Sequence, residues 1–192
     1  YIDLSNNLLA EYDLTNYDNL EHLDLSGNKL SSVSIAYLSN ARNVNLSGNN
    51  LTEIENVIEM PLCETFNVSN NNLTLETLPY FTAGEPASYV YAPQSTLVIP
   101  TKAPSINLSK QNRVIDGRGT SYTWKTVDGR TLAEGTDYRI TNDGVTRFLN
   151  TNVGEVYCEM TNPAYPAFTG ADVFRTSNVT PMGAPTTLVA TF

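Results

Sequence analysis

The sequence predicts a mainly β protein in two parts: a short solenoid with a parallel β-sheet on its concave face, then an antiparallel β-sandwich. Three observations carry this reading. One eight-residue phrase recurs four times within the first 73 of the 192 residues. Near residue 100 that rhythm gives way to short strand-like runs separated by turn signals every eight to twelve residues. The charge divides at the same place: residues 1–100 carry twelve acids against Lys29 and Arg42, and residues 101–192 carry eight acids against nine bases.

The phrase reads apolar, polar, apolar, Ser, any residue, Asn, any residue, Leu. Its copies run from Ile2 to Leu9, Leu23 to Leu30, Val44 to Leu51 and Phe66 to Leu73, with spacings of 21, 21 and 22 residues. The two apolar residues flanking a polar one are the period-2 pattern of a short strand. Stacked in parallel about 4.8 Å apart, such strands turn Ile2/Leu4, Leu23/Leu25, Val44/Leu46 and Phe66/Val68 into inward ladders. Leu9, Leu30, Leu51 and Leu73 form a further ladder after the turn. Between the copies, Tyr12 and Leu14, Val33 and Ile35, and Ile54 and Val57 supply apolar residues to the convex side. A coil this short has room there for 3₁₀ turns or extended segments, not full helices.

Asn7, Asn28, Asn49 and Asn71 stand where the strand turns and backbone groups lose their ladder partners. An inward amide both donates and accepts, so these residues read as a structural ladder. The Asn-x-Ser/Thr matches at Asn45, Asn50, Asn67 and Asn72 then follow from the repeat and carry little weight as glycosylation signals. A degenerate fifth copy spans about 89–94, with Tyr89 and Tyr91 inward and Gln94 in the Asn position. It would cap the solenoid. This phrase and its period resemble the leucine-rich repeat. The resemblance assigns residues 1–100 to a leucine-rich-repeat domain and points to binding.

The outward strand residues form three rows: Tyr1, His22, Asn43, Thr65; Asp3, Asp24, Asn45, Asn67; and Ser5, Ser26, Ser47, Ser69. The resemblance places candidate partner binding on His22, Asp24, Ser26, Asn43, Asn45, Ser47, Asn67 and Ser69. His22, Asp24 and Ser26 have the residue types of a catalytic triad. Residues i and i+2 on one strand are nonetheless about 7 Å apart, too far for relayed hydrogen bonds. The chain has a single His. The expectation is therefore no enzyme, no catalytic residues, no metal site and no cofactor. The acidic repeat half would repel nucleic acid. No apolar run reaches the roughly 20 residues of a transmembrane helix. Cys63 and Cys158 fall in different halves and read as small buried hydrophobes.

Residues 101–181 read as the sandwich, with strands near 106–108, 113–115, 121–127, 138–141, 145–149, 155–160 and 171–180. Asp128-Gly129 is the expected type I′ hairpin turn. Trp124 reads as a core anchor on an early strand, and Tyr157-Cys158 lies on a later one. That pair resembles the core of an immunoglobulin-like domain. Residues 182–192 read as a tail or linker.

Both halves together resemble the internalins, secreted bacterial surface proteins in which leucine-rich repeats precede an immunoglobulin-like domain. The resemblance implies an extracellular adhesion module whose repeats bind a protein of a host or neighbouring cell, with the second domain as a rigid spacer. The alternative is a glycan-binding or accessory spacer module of a larger surface protein or carbohydrate-active enzyme. Tyr1 lies already inside a repeat. The expectation there is a mature or trimmed chain, with more repeats before Tyr1 or an uncapped end able to self-associate.

Overall fold

The computed structural model describes residues 1–81 and 85–183, so the expected tail lies outside the described residues from 184 onward. The chain forms two compact units, one of residues 1–96 with 161–174 and one of 97–160 with 175–192. Residues 161–174, read from the sequence with the second half, thus belong to the first unit.

The strands of the first unit are β1 (Ile2–Asp3), β2 (His22–Asp24), β3 (Ser32–Ser34), β4 (Asn43–Asn45), β5 (Glu53–Glu55), β6 (Thr65–Asn67) and β7 (Ser88–Val90). They build a β-solenoid of about four coils. A five-stranded parallel sheet in the order β1-β2-β4-β6-β7 forms the concave side, and β3 pairs with β5 on the convex side. The register follows the repeat: Leu23, Val44, Phe66 and Tyr89 are successive partners, as are Asp24, Asn45, Asn67 and Val90. Leu25, Leu30, Leu46, Leu51, Phe66, Val68 and Leu73 are fully buried, so the apolar ladders form one continuous core.

Each coil bends at the residue between Ser and Asn of the phrase. Asn6, Gly27, Gly48 and Asn70 all have φ between 55° and 66°. Gly and Asn are the residues that tolerate this left-handed conformation, so the position that looks free in the phrase is restricted. Each convex segment then closes on the same hydrogen-bonded turn, with Leu20, Ala41 and Cys63 donating to Tyr17, Leu38 and Met60 at 2.9, 3.0 and 2.9 Å. Cys63 therefore occupies a core ladder position behind Leu20 and Ala41. One expected inward residue departs: Val57 is 42% exposed. Asn56, at φ 52°, turns the chain ahead of it, and Met60 fills the core instead.

The final coil replaces aliphatic ladder residues with rings. Phe66 stacks on Tyr89 at 5.9 Å, Tyr89 meets Tyr91 at 4.9 Å, and Tyr91 packs edge-on to Tyr165 and Phe168 at 5.4 and 5.2 Å. The Tyr165 hydroxyl donates to Leu78 O (3.1 Å), and the Tyr91 hydroxyl accepts from Ala167 N (2.8 Å). Each buried ring hydroxyl thus has a partner, as burial demands.

The remaining strands, in the second unit but for the end residues Thr161 and Phe174, are β8 (Lys102–Ala103), β9 (Ser105–Asn107), β10 (Ser121–Thr126), β11 (Tyr138–Ile140), β12 (Val145–Phe148), β13 (Val156–Thr161), β14 (Phe174–Arg175) and β15 (Thr180–Pro181). They form two three-stranded sheets, β10-β13-β14 and β11-β12-β9, and a parallel pair of β8 with β15. Trp124 on β10 is fully buried, packs edge-on against Phe148 at 5.0 Å, and donates from Nε1 to Thr146 Oγ1 at 3.0 Å. Both contacts lie on β12, so this side chain joins the two sheets. Cys158 is also fully buried. Both thiols are free, and burial pushes the Cys63 thiol up to about 11 and raises that of Cys158 as well. Neither is a thiolate near neutral pH, which makes them inert packing groups.

Three local expectations are corrected: the strand expected near 171–180 is a 3₁₀ turn at Gly170–Asp172 followed by the two-residue strands β14 and β15. Residues 113–115 form no strand; Ile115 instead bridges Arg118 across a tight turn whose central residues, Asp116 and Gly117, both have positive φ (50° and 74°). That is the type I′ turn, displaced from its expected place. At Asp128-Gly129 only the Gly is left-handed, at φ 91°. Gly129 N donates to Thr126 O and Thr126 N to Arg130 O, both at 2.9 Å, which gives a three-residue loop closed by a glycine bulge. The Thr126 hydroxyl donates to Asp128 and stabilises it. Thr141-Asn142-Asp143-Gly144 repeats the same device, with the Thr141 hydroxyl donating to Asp143.

The two bulge glycines differ in their surroundings. A Cβ at Gly129 would meet nothing within 4 Å, whereas one at Gly144 would lie 2.5 Å from the Tyr122 hydroxyl oxygen. Gly129→Ala is expected to cost about 1 kcal/mol from backbone strain alone. Gly144→Ala is expected to cost about 2–3 kcal/mol, because Tyr122 must also move. Urea titrations followed through the single tryptophan separate the two; equal losses would remove the steric contribution.

Candidate functional site

Parallel register brings the candidate residues onto one face. His22 and Asn43 are direct partners in adjacent strands, as are Asp24, Asn45 and Asn67. The eight are half-buried except Ser69, which is only 6% exposed and offers little to a partner.

The two inner rows serve each other. Asp24 Oδ1 accepts from Ser26 N and Oγ at 2.8 and 2.5 Å. Asn45 Oδ1 accepts from Ser47 N and Oγ at 3.2 and 2.7 Å, and Asn67 Oδ1 from Ser69 N and Oγ at 3.0 and 2.8 Å. The cause is local. Leu25 N and Gly27 N donate to the next strand, whereas the Ser26 N–H between them points the other way and takes the Asp carboxylate. The same bonds, from Ser5 N–H first and then its hydroxyl, hold the Asp3 carboxyl below its ordinary value. Across strands, the Asn45 amide donates to Asp24 Oδ2 at 3.1 Å. Fixed in this way, these side chains lose little rotamer freedom when a partner arrives.

The outer row is less tied. The Asn43 amide nitrogen lies 3.2 Å from His22 Nδ1, within hydrogen-bond distance. The Tyr1 ring tilts against His22 at 5.7 Å. His22 thus pairs with Asn43, and Ser26 pairs with Asp24. The expected separation of about 7 Å does not hold for Asp24 and Ser26, which hydrogen-bond at 2.5 Å because the chain turns at Gly27, but His22 bonds to neither of them. Among the described residues, no group of three or more His, Cys, Asp or Glu side chains is placed to hold a metal ion.

The face extends beyond the candidate set. Ser88 continues the row of His22, Asn43 and Thr65, and Val90, 37% exposed, continues the row of Asp24, Asn45 and Asn67. Two residues ahead of the phrase, Arg42 lies between Glu21 and Glu64 at 3.8 and 3.4 Å. These three share the 21- and 22-residue spacing, so the signal was in the sequence, just outside the phrase. Both pairs are largely exposed, and each contributes little to stability.

The sequence profile of the Leucine Rich Repeat matches residues 19–41, the coil that carries His22, Asp24 and Ser26. Comparison with characterised proteins gives no match. The repeat unit is a β-solenoid of about four coils, consistent with a leucine-rich-repeat type, and such repeats generally mediate protein–protein interaction. No helix among the described residues is long and apolar enough to cross a membrane.

Proposed function

We propose that the protein is a non-catalytic adhesion module of a cell surface, secreted or displayed outside the cell, which binds a protein partner through the concave face. The observation that carries this is the preordered five-stranded sheet with its aligned polar rows. In this reading the second unit is an immunoglobulin-like spacer. The buried Trp124 between two three-stranded sheets supports that assignment.

Specificity falls on the outer row, because no hydrogen bond among the described residues commits His22, Asn43 or Thr65 to supporting a strand end as Asp24, Asn45 and Asn67 do. Capture from surface extracts of host or neighbouring cells, comparing the intact chain with a His22→Ala/Asn43→Ala/Thr65→Ala variant, tests the proposal. Loss of most of the captured partner is expected from the variant. Equal capture by both would remove the concave face from the account.

A further inference from the structure

Away from the concave sheet, the first unit carries a hollow of about 310 Å³ lined by Val57, Glu59, Met60, Tyr80, Phe81 and Glu85 among others. A smaller one of about 180 Å³ adjoins it and shares Tyr80, Phe81 and Glu85. The larger volume is in the range of small-ligand sites, and its walls combine rings with carboxylates.

The Phe81 ring is held in place from behind. Phe81 packs edge-on against Phe66 and Tyr89 at 5.6 and 5.3 Å, and the Tyr89 hydroxyl donates to Pro79 O at 3.0 Å. Met60 beneath is fully buried, yet Val57 and Tyr80 stay 42% and 36% exposed. Two carboxylates border these apolar groups. None of the ion pairs among the described residues involves Glu59 or Glu85. The surrounding unit has thirteen acids against Lys29 and Arg42, a net of −11.

We propose that this hollow receives an arginine side chain of a protein partner. A guanidinium is planar and weakly hydrated, stacks on an aromatic face, and forks its donors onto carboxylates. Tyr80 and Phe81 supply the face; Glu59 and Glu85 supply the acceptors. A neutral apolar side chain would leave both carboxylates without a partner. A phosphate or carboxylate ligand would be repelled. The site shares no residue with the concave rows, so its success or failure is independent of theirs.

The test is a titration with N-acetyl-arginine amide, and with its neutral isostere N-acetyl-citrulline amide, followed by amide NMR shifts. The arginine probe is expected to shift Val57 to Met60 and Phe81, with citrulline weaker by about tenfold. Glu59→Gln/Glu85→Gln is expected to weaken the arginine probe by about tenfold, and Tyr80→Leu by about threefold. Unchanged dispersion of the remaining amides certifies that the variants are folded. Equal shifts from both probes, indifference to the Gln variant, or shifts confined to other acidic surfaces would each overturn the proposal.

Discussion

Asn49→Asp is expected to destabilise the repeat unit by about 3–5 kcal/mol at pH 7, more than Asn49→Ala, although it alters a single group. The Asn49 amide donates to Leu25 O and Leu46 O at 2.9 and 3.1 Å, and its oxygen accepts from Leu30 N at 3.1 Å. Alanine leaves Leu30 N buried without an acceptor. The two carbonyls each keep a second donor, from Asn28 and Asn71. That loss comes to about 2–4 kcal/mol. Aspartate keeps the bond from Leu30 but turns a buried, charged oxygen toward two carbonyl oxygens. Its folded pKa must then rise above the ordinary value of about 3.9. A raised folded pKa means stability present at low pH and lost as pH rises. The deficit of the variant should therefore open above about pH 4 and reach full size once the pH passes the raised value. Urea unfolding followed by circular dichroism at pH 4 and pH 7 measures this. A deficit that does not depend on pH would refute the argument. Asn7→Ala, at an exposed copy of the same position, should change stability by less than about 0.5 kcal/mol.

Trp124→Ala is expected to cost the second unit about 3–5 kcal/mol. The side chain is the largest that is fully buried. Its removal opens a cavity between the sheets and strips the buried Thr146 hydroxyl of its donor. Trp124→Phe keeps most of the volume and loses the hydrogen bond, for about 1–2 kcal/mol. Val127→Ala, at a residue 59% exposed, serves as the control and should be near neutral. Thermal unfolding followed in the near ultraviolet through the tyrosines reads all three. A Trp124→Ala loss no larger than that of Val127→Ala would show that Trp124 is not a core anchor.

The solenoid was legible because its signal is periodic. A side-chain pattern repeated every 21 or 22 residues fixes both the strand register and the ladder positions, and even Gln94 could be placed as the last rung. It accepts from Leu73 N at 3.0 Å and donates to Val68 O at 2.8 Å, the same bonds that the asparagines make. What failed was whatever depends on backbone angles. Val57 left the core where Asn56 is left-handed, the type I′ turn formed at Asp116-Gly117, and at Asp128-Gly129 the Thr126 hydroxyl holds Asp128 in a glycine-bulge loop instead. The grouping of 161–174 with the repeats rests on Tyr165 and Phe168 meeting Tyr91. Long-range ring contacts of that kind leave no local pattern. The candidate face was legible as rows, but the pairing of Ser with Asp or Asn was not. Seen as text, those rows look like free polar surface.

That pairing also governs how such a surface can change. Substituting Asp24, Asn45 or Asn67 takes a hydrogen bond away from a strand end, so drift in the middle row carries a folding cost in each coil that has the pair. The outer row carries no such load. A library randomised at His22, Asn43, Thr65 and Ser88 should yield mostly folded members, whereas one randomised at Asp24, Asn45 and Asn67 should yield few. Coil by coil from Asp3 to Asn67, one column carries the strand-end hydrogen bonds and the column beside it is free of them.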